Sequence, residues 1–221
     1  MEDLDIKHLE DIDKIGLTSY NIIKFKLPFE IKPKNFIEFA KADLKSKSIR
    51  SLINALSNTK RALDCQLDGI LYTLGYYKES KKLRWNFIDK LEFLEKLNIV
   101  SPVFLKKINR NRNLLEHEFK CPEKEDVEEA IDITDFFIHH TDIHINKVVN
   151  ECTFTLNKGT KGAKDFPEIF FDRLNSKFMI RTYKKIGNEF KEAIISEFTI
   201  KDKEYLIILK AFANYNNILL N

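Results

Sequence analysis

The chain is poor in residues that interrupt regular structure, with six glycines and five prolines among 221 residues. Few forced breaks, together with many Lys, Asn and Ile residues, suit a helix-rich body. Cysteine is scarce as well. Cys65, Cys121 and Cys152 are widely spaced and form no C-x-x-C pair, which excludes a zinc ribbon and a disulfide framework. A reduced, cytoplasmic protein is the expectation. No apolar run approaches the roughly 20 residues of a membrane span. The acidic amino terminus shows no apolar core of a signal peptide, so no membrane association is expected. A dominant charge sign is missing too. Lys and Arg number 37 against 34 Asp and Glu, a net charge of +3. That excludes the global basic field of a bulk nucleic-acid coat. There is no internal repeat and no low-complexity segment. Asn157 to Lys164 is a basic loop with two glycines, but the spacing is wrong for a Walker A loop and no Gly-Lys-Ser/Thr follows. His140 and His144 have the i,i+4 spacing of a metal pair, yet no third ligand has good spacing and Asp142 lies off their face. No metal and no cofactor are expected.

What is present is periodic. Leu52, Leu56, Thr59, Leu63, Leu67, Ile70 and Leu74 recur at steps of three and four and predict one long helix from Ser48 to about Leu74. Its other side carries Asn54, Asn58, Arg61, Asp64 and Asp68, which suits a solvated face, although Asp64 or Asp68 could also orient Arg112. Asn35 can cap a preceding helix from Phe36. Gly75-Tyr76-Tyr77 breaks the pattern, and a Lys-rich loop runs to Arg84. Tyr76, Tyr77, Lys81, Lys82, Arg84 and Trp85 could stack and neutralise single-stranded RNA, or staple the start of the next helix, Phe87 to Leu97. Pro122 suits a first helical position, and the acidic residues after it complement the helix start. Val127, Ala130, Ile131, Thr134 and Ile138 form the stripe that this helix should bury.

Both ends read differently. Residues 22–31 nearly alternate from Ile23 onward, as a strand does, with Pro28 demoting them to an edge. A lone strand needs a sheet, and the carboxy-terminal region offers one. There Cys152 to Leu156, Phe178 to Tyr183, Ala193 to Ile200 and Tyr205 to Phe212 predict strands. The expected fold is mainly α: a helical bundle with a smaller strand-containing α+β unit at the carboxy terminus. Its parts are a 1–35 segment with a strand, a 36–150 helical domain and a 151–221 strand-rich unit.

The densest chemistry lies in Asn109-Arg-Asn-Arg-Asn-Leu-Leu-Glu-His-Glu118, within a locally basic stretch, residues 78–120, that precedes an acidic one. If this segment is helical, Asn113 and His117 share a face, and Arg112 and Glu116 share the neighbouring edge. Arg112 and His117 would then stand about 140° apart around the axis and would not stack; a long arginine could still curl toward the imidazole, or, more simply, both could face a partner helix that closes the site. The plain structural alternative is a helix start with surface charges and a histidine at the core edge.

Arg112-Asn-Leu-Leu-Glu-His117 resembles the R-N-x-x-x-H signature of the HEPN superfamily, all-helical proteins that include many metal-independent RNases. The order of helices over residues 36–147 is similar to theirs as well. Arg110 also satisfies the looser R-x6-H spacing, and Asn113 favours Arg112. The resemblance implies an endoribonuclease in which His117 is general base or acid. Arg112 would stabilise charge on the phosphate. Asn113 would orient the histidine or bond the phosphate. Arg110, Lys106 and Lys107 would position the RNA backbone, with Glu116 beside them in the substrate site. It implies a homodimer with both motifs lining one cleft, and a role in a toxin–antitoxin or defence system with an antitoxin or other protein partner. The alternative is a non-catalytic HEPN-like dimer that binds RNA or a nucleotide.

Overall fold

A computed structural model describes residues 15–23, 26–46, 48–101, 103, 106, 109, 120–156, 168–186 and 189–220. The fold is mainly α, with a five-stranded antiparallel sheet. The chain divides into two compact units. A helical bundle takes residues 26–72 and 77–146. A sheet unit takes the amino-terminal strand, residues 15–23, together with residues 73–76 and the chain from 147 onward.

The bundle is built on α2, Ile49–Thr73. Leu56, Thr59, Leu63, Leu67 and Ile70 are buried as the periodicity predicts, and Ala55, Ala62, Gln66 and Leu71 widen the stripe. A helix with so broad a buried face is the core of its bundle. Against it the bundle assembles α1 (Pro33–Asp43), α3 (Tyr77–Lys82), α4 (Phe87–Lys96), α5 (Lys124–Thr141) and the single turn α6 (Ile143–Asn146). Every residue of the predicted α5 stripe is buried. Buried Gln66 donates from Nε2 to Thr141 Oγ1 (2.8 Å), and Thr141 donates to the Phe137 carbonyl (2.7 Å), so α2 and α5 are joined by polar bonds inside the core. Outside it, Lys34 pairs with Asp142 and Lys41 with Asp135, tying α1 to α5.

Local boundaries differ from expectation in ways the caps explain. α1 starts at Pro33, whose fixed φ and missing N–H suit the first turn. Asn35 therefore sits in the third helical position and caps from there, accepting from the Lys32 N–H (3.1 Å). The Lys-rich segment after Tyr77 is the short helix α3, not a loop. Pro122 lies before the N-cap Glu123 and outside the helix. His144 is not on α5 with His140 but on α6.

The sheet has the order β1-β2-β3-β4-β5: β1 Ile15–Ile23, β2 Val148–Leu156, β3 Glu168–Asp172, β4 Lys177–Ile186 and β5 Glu189–Thr199. The amino-terminal strand does pair with the carboxy-terminal region, antiparallel to β2, with Ile22 opposite Val149. It occupies 15–23, however, and residues 26–31, with Pro28 among them, form no strand. β3 is a strand that the sequence reading missed. The expected strand at Tyr205–Phe212 is instead part of helix α7, Lys203–Leu220. Its Tyr205, Ile208, Leu209 and Phe212 are buried. Phe178 of β4 lies with its ring 4.9 Å from Tyr205 and 5.2 Å from Phe212, and Phe171 of β3 stacks on Phe178 at 4.2 Å. Buried Arg173 donates to the carbonyls of Thr73 and Val149 and to Asn150 Oδ1, and its guanidinium stacks on Phe171. Gly75 has φ +74°, and a Cβ there would come within 3.2 Å of the Arg173 carbonyl and the Tyr205 hydroxyl. Only glycine fits that approach.

Candidate functional site

The segment that carries the candidate chemistry is bracketed by described structure on both sides. On the amino-terminal side is α4. Asn86 caps it, its Oδ1 accepting from the N–H groups of Ile88 (2.7 Å) and Asp89 (3.2 Å), while Asp89 accepts from the Asn86 N–H (2.8 Å). This reciprocal box was legible as Asn-x-x-Asp before an apolar run, and the sequence reading passed over it. α4 ends at Lys96, Asn98 turns with φ +57°, and Ile99 is buried. Val103, Lys106 and Asn109 are helical. Val103 is 70% exposed, Lys106 is exposed and Asn109 is half-buried. On the carboxy-terminal side, Lys120 and Cys121 are exposed and α5 begins at Lys124.

Of the predicted site residues, Lys106 alone is among the described ones, and it is available to solvent as a phosphate contact must be. Arg110, Arg112, Asn113, Glu116, His117 and Lys107 lie outside the described residues. Their geometry therefore stays an expectation of the sequence.

The surrounding candidates are resolved individually. Asp68, considered as a partner for Arg112, carries two lysines: Lys90 Nζ lies 2.5 Å from one carboxylate oxygen and Lys81 Nζ donates to the other at 2.9 Å. Lys90 is 8% exposed at its side chain, so this charge pair is largely desolvated and Asp68 is what neutralises it. Burial works against the charge of Lys81, but the hydrogen bond and charge of Asp68 outweigh it and hold its pKa above the ordinary value. The aromatics near this cluster are structural. Tyr77 packs on Phe29 and Tyr72, Trp85 packs on Phe93 at 5.0 Å, and Tyr76 is buried. Their rings pack as helix staples do, Tyr76 buried and Tyr77 and Trp85 half-buried. Lys78, Lys82 and Arg84 remain exposed.

Cys65 is half-buried, and burial, with Asp68 and Asp64, pushes its thiol up to about 11, far from a nucleophilic thiolate at neutral pH. His144 is buried, and desolvation, with His140 adding, lowers its pKa to about 4, so it is a neutral imidazole at physiological pH. Among the described residues no group of three His, Cys, Asp or Glu side chains gathers at metal-binding distance. Among them, too, no helix is long and apolar enough to cross a membrane.

No protein-family model, no curated protein and no solved structure matches this chain.

Proposed function

We propose that this protein is a metal-independent endoribonuclease of the HEPN type, cytoplasmic and homodimeric, working in a toxin–antitoxin or defence setting. The observation that carries the proposal is Arg112-Asn-Leu-Leu-Glu-His117 in its setting. The hexapeptide lies in chain order between α4 and α5 of a helical bundle whose long first core helix is α2. Exposed Lys106 and Lys120 flank it, so the segment enters and leaves through cationic, solvent-facing positions, as suits a phosphate-handling site.

The reaction is a transfer within the substrate. The RNA 2′-hydroxyl loses its proton to a base, O2′ attacks the adjacent phosphorus, the bond from phosphorus to O5′ breaks, and the leaving oxygen takes a proton. His117 serves one of those two proton transfers. Arg112 neutralises the extra negative charge on the phosphate in the transition state. Asn113 orients the imidazole or the phosphate. Because the nucleophile is the substrate's own hydroxyl, the step requires no metal-bound water. If the sequence over residues 109–119 is read as one helix, Arg112 and His117 fall on different edges, and two copies facing each other across a two-fold axis would bring both groups into one cleft.

The test is incubation of the wild-type protein with total RNA in EDTA beside His117→Ala and Arg112→Ala. Cleavage by wild type, reduced about 10²–10⁴-fold by His117→Ala and by a comparable factor by Arg112→Ala, is the expected result. RNA binding that depends on Arg112 without any cleavage would replace the enzyme by a binding module.

A further inference from the structure

The solvated face of α2 is not uniformly convex. Together with α1 it encloses an open groove of about 510 Å³, within the usual range of ligand clefts. From α2 come Asn54, Ser57, Asn58 and Arg61, a stripe at i, i+3, i+4 and i+7, and α1 contributes Phe39 and Asp43. The polar groups are arranged as a relay. Asn58 donates from Nδ2 to Asp43 Oδ2 (2.9 Å), which fixes the amide so that its Oδ1 accepts from Arg61 Nη1 (3.1 Å). Asp43 is thus engaged by the Asn58 amide. Arg61 uses one of its five N–H donors in this way, and the guanidinium is exposed. Phe39 is 47% exposed, touching Phe36 edge-on at 6.2 Å. Asn54, exposed, and Ser57, half-buried, also line the groove. Arg50, one turn before Asn54 on the same stripe, is also exposed.

We propose that this groove binds a nucleoside phosphate, the base lying on Phe39 and the phosphate on Arg61. An exposed ring supplies a stacking surface that every base can use. A guanidinium with free donors held by a neighbouring amide matches the bidentate geometry of phosphate. Asn54 and Ser57 offer both donors and acceptors for a base edge, and an asparagine amide pairs well with adenine. The lining is mainly polar, which disfavours an apolar small molecule. The proposal rests on residues of α1 and α2 alone and does not depend on the chemistry of Arg112 and His117.

Two sources supply this ligand, a free nucleotide or one nucleotide of a single-stranded RNA. Calorimetric titration of the full chain carrying His117→Ala, in EDTA, with AMP and separately with a short oligoadenylate, distinguishes them and leaves the RNA uncut. Binding should weaken about tenfold or more in Phe39→Ala and in Arg61→Gln, and Phe39→Trp should retain it. Adenosine without phosphate should bind more weakly and lose its response to Arg61→Gln. Both positions are exposed, so the melting temperature should not move. A response with AMP assigns a free-nucleotide site, and a response with the oligonucleotide alone assigns a strand contact. If neither ligand binds at millimolar concentration, or if binding ignores both substitutions, the proposal is wrong. Loss of ribonuclease activity in His117→Ala bears on the other site alone.

Discussion

Burial of His144 ties the stability of the helical bundle to pH. The side chain is 5% exposed, and desolvation holds its pKa near 4 against an ordinary 6.5. In the unfolded chain the imidazole takes its proton near the ordinary value. Between pH 6.5 and 4 the unfolded state therefore binds more protons, and stability falls as the pH is lowered through that window. At about 1.36 kcal/mol per pKa unit the ceiling is about 3 kcal/mol. His144→Gln should flatten the slope of unfolding free energy across this window in urea titrations at several pH values. An unchanged slope would assign the titration to other groups. The sequence showed His144 only as a possible i,i+4 metal partner of His140. Its burial follows from the chain turning after Thr141 into α6, which no periodicity announced. Other single residues were more legible. Gly75 was visible as a break because so few glycines are present, and its positive φ against the Arg173 carbonyl gives the reason. The aromatic roles of Tyr77 and Trp85 were open in the sequence because staples and stacking platforms share a composition.

Among the elements, α2 was the easiest to read and matters most to stability. Its leucines repeat over seven turns, and the structure buries Leu56, Leu63, Leu67 and Leu71 almost completely and leaves Leu52 half-buried. Leu67→Ala, at 0% exposure, should cost about 2–5 kcal/mol by loss of transfer energy and creation of a cavity. Thermal or urea unfolding checks this, and a cost below about 1 kcal/mol would mean the core collapses around the gap. The carboxy-terminal helix was misread for a physical reason. Tyr205-Leu-Ile-Ile-Leu is a short apolar run, and such runs fit a buried strand and a buried helix equally. The deciding signal was the spacing of Tyr205, Ile208, Leu209 and Phe212, with Asp202 accepting from the Thr199 N–H at the helix entrance (2.7 Å). β1 was placed about seven residues late because Pro28 and the alternation around it drew the strand forward. The real strand lies in 15–23, where Gly16, Thr18, Ser19 and Asn21 dilute the alternation.

At the scale of the molecule, two units are interleaved along the chain, so that β1 and β2 pair across the whole helical bundle in sequence. The need of a lone amino-terminal strand for a sheet foretold that closure, and the charge and apolar periodicities foretold the bundle. The proposed chemistry was legible only as a hexapeptide and its flanks, and six of the seven residues expected to carry it lie outside the described structure. The proposed site, shared across a two-fold axis, would make assembly a requirement. Light scattering at micromolar concentration should give a dimer, and a monomer alone would contradict the composite cleft. The most direct test of the central claim is the chemistry of the ends. RNA cut by the wild-type protein in EDTA should carry 2′,3′-cyclic phosphate and 5′-hydroxyl termini by mass spectrometry, and a single 2′-deoxy substitution at the cut site should block cleavage there. Products with 3′-hydroxyl and 5′-phosphate ends, cleavage of DNA as well as RNA, or activity abolished by EDTA would contradict it.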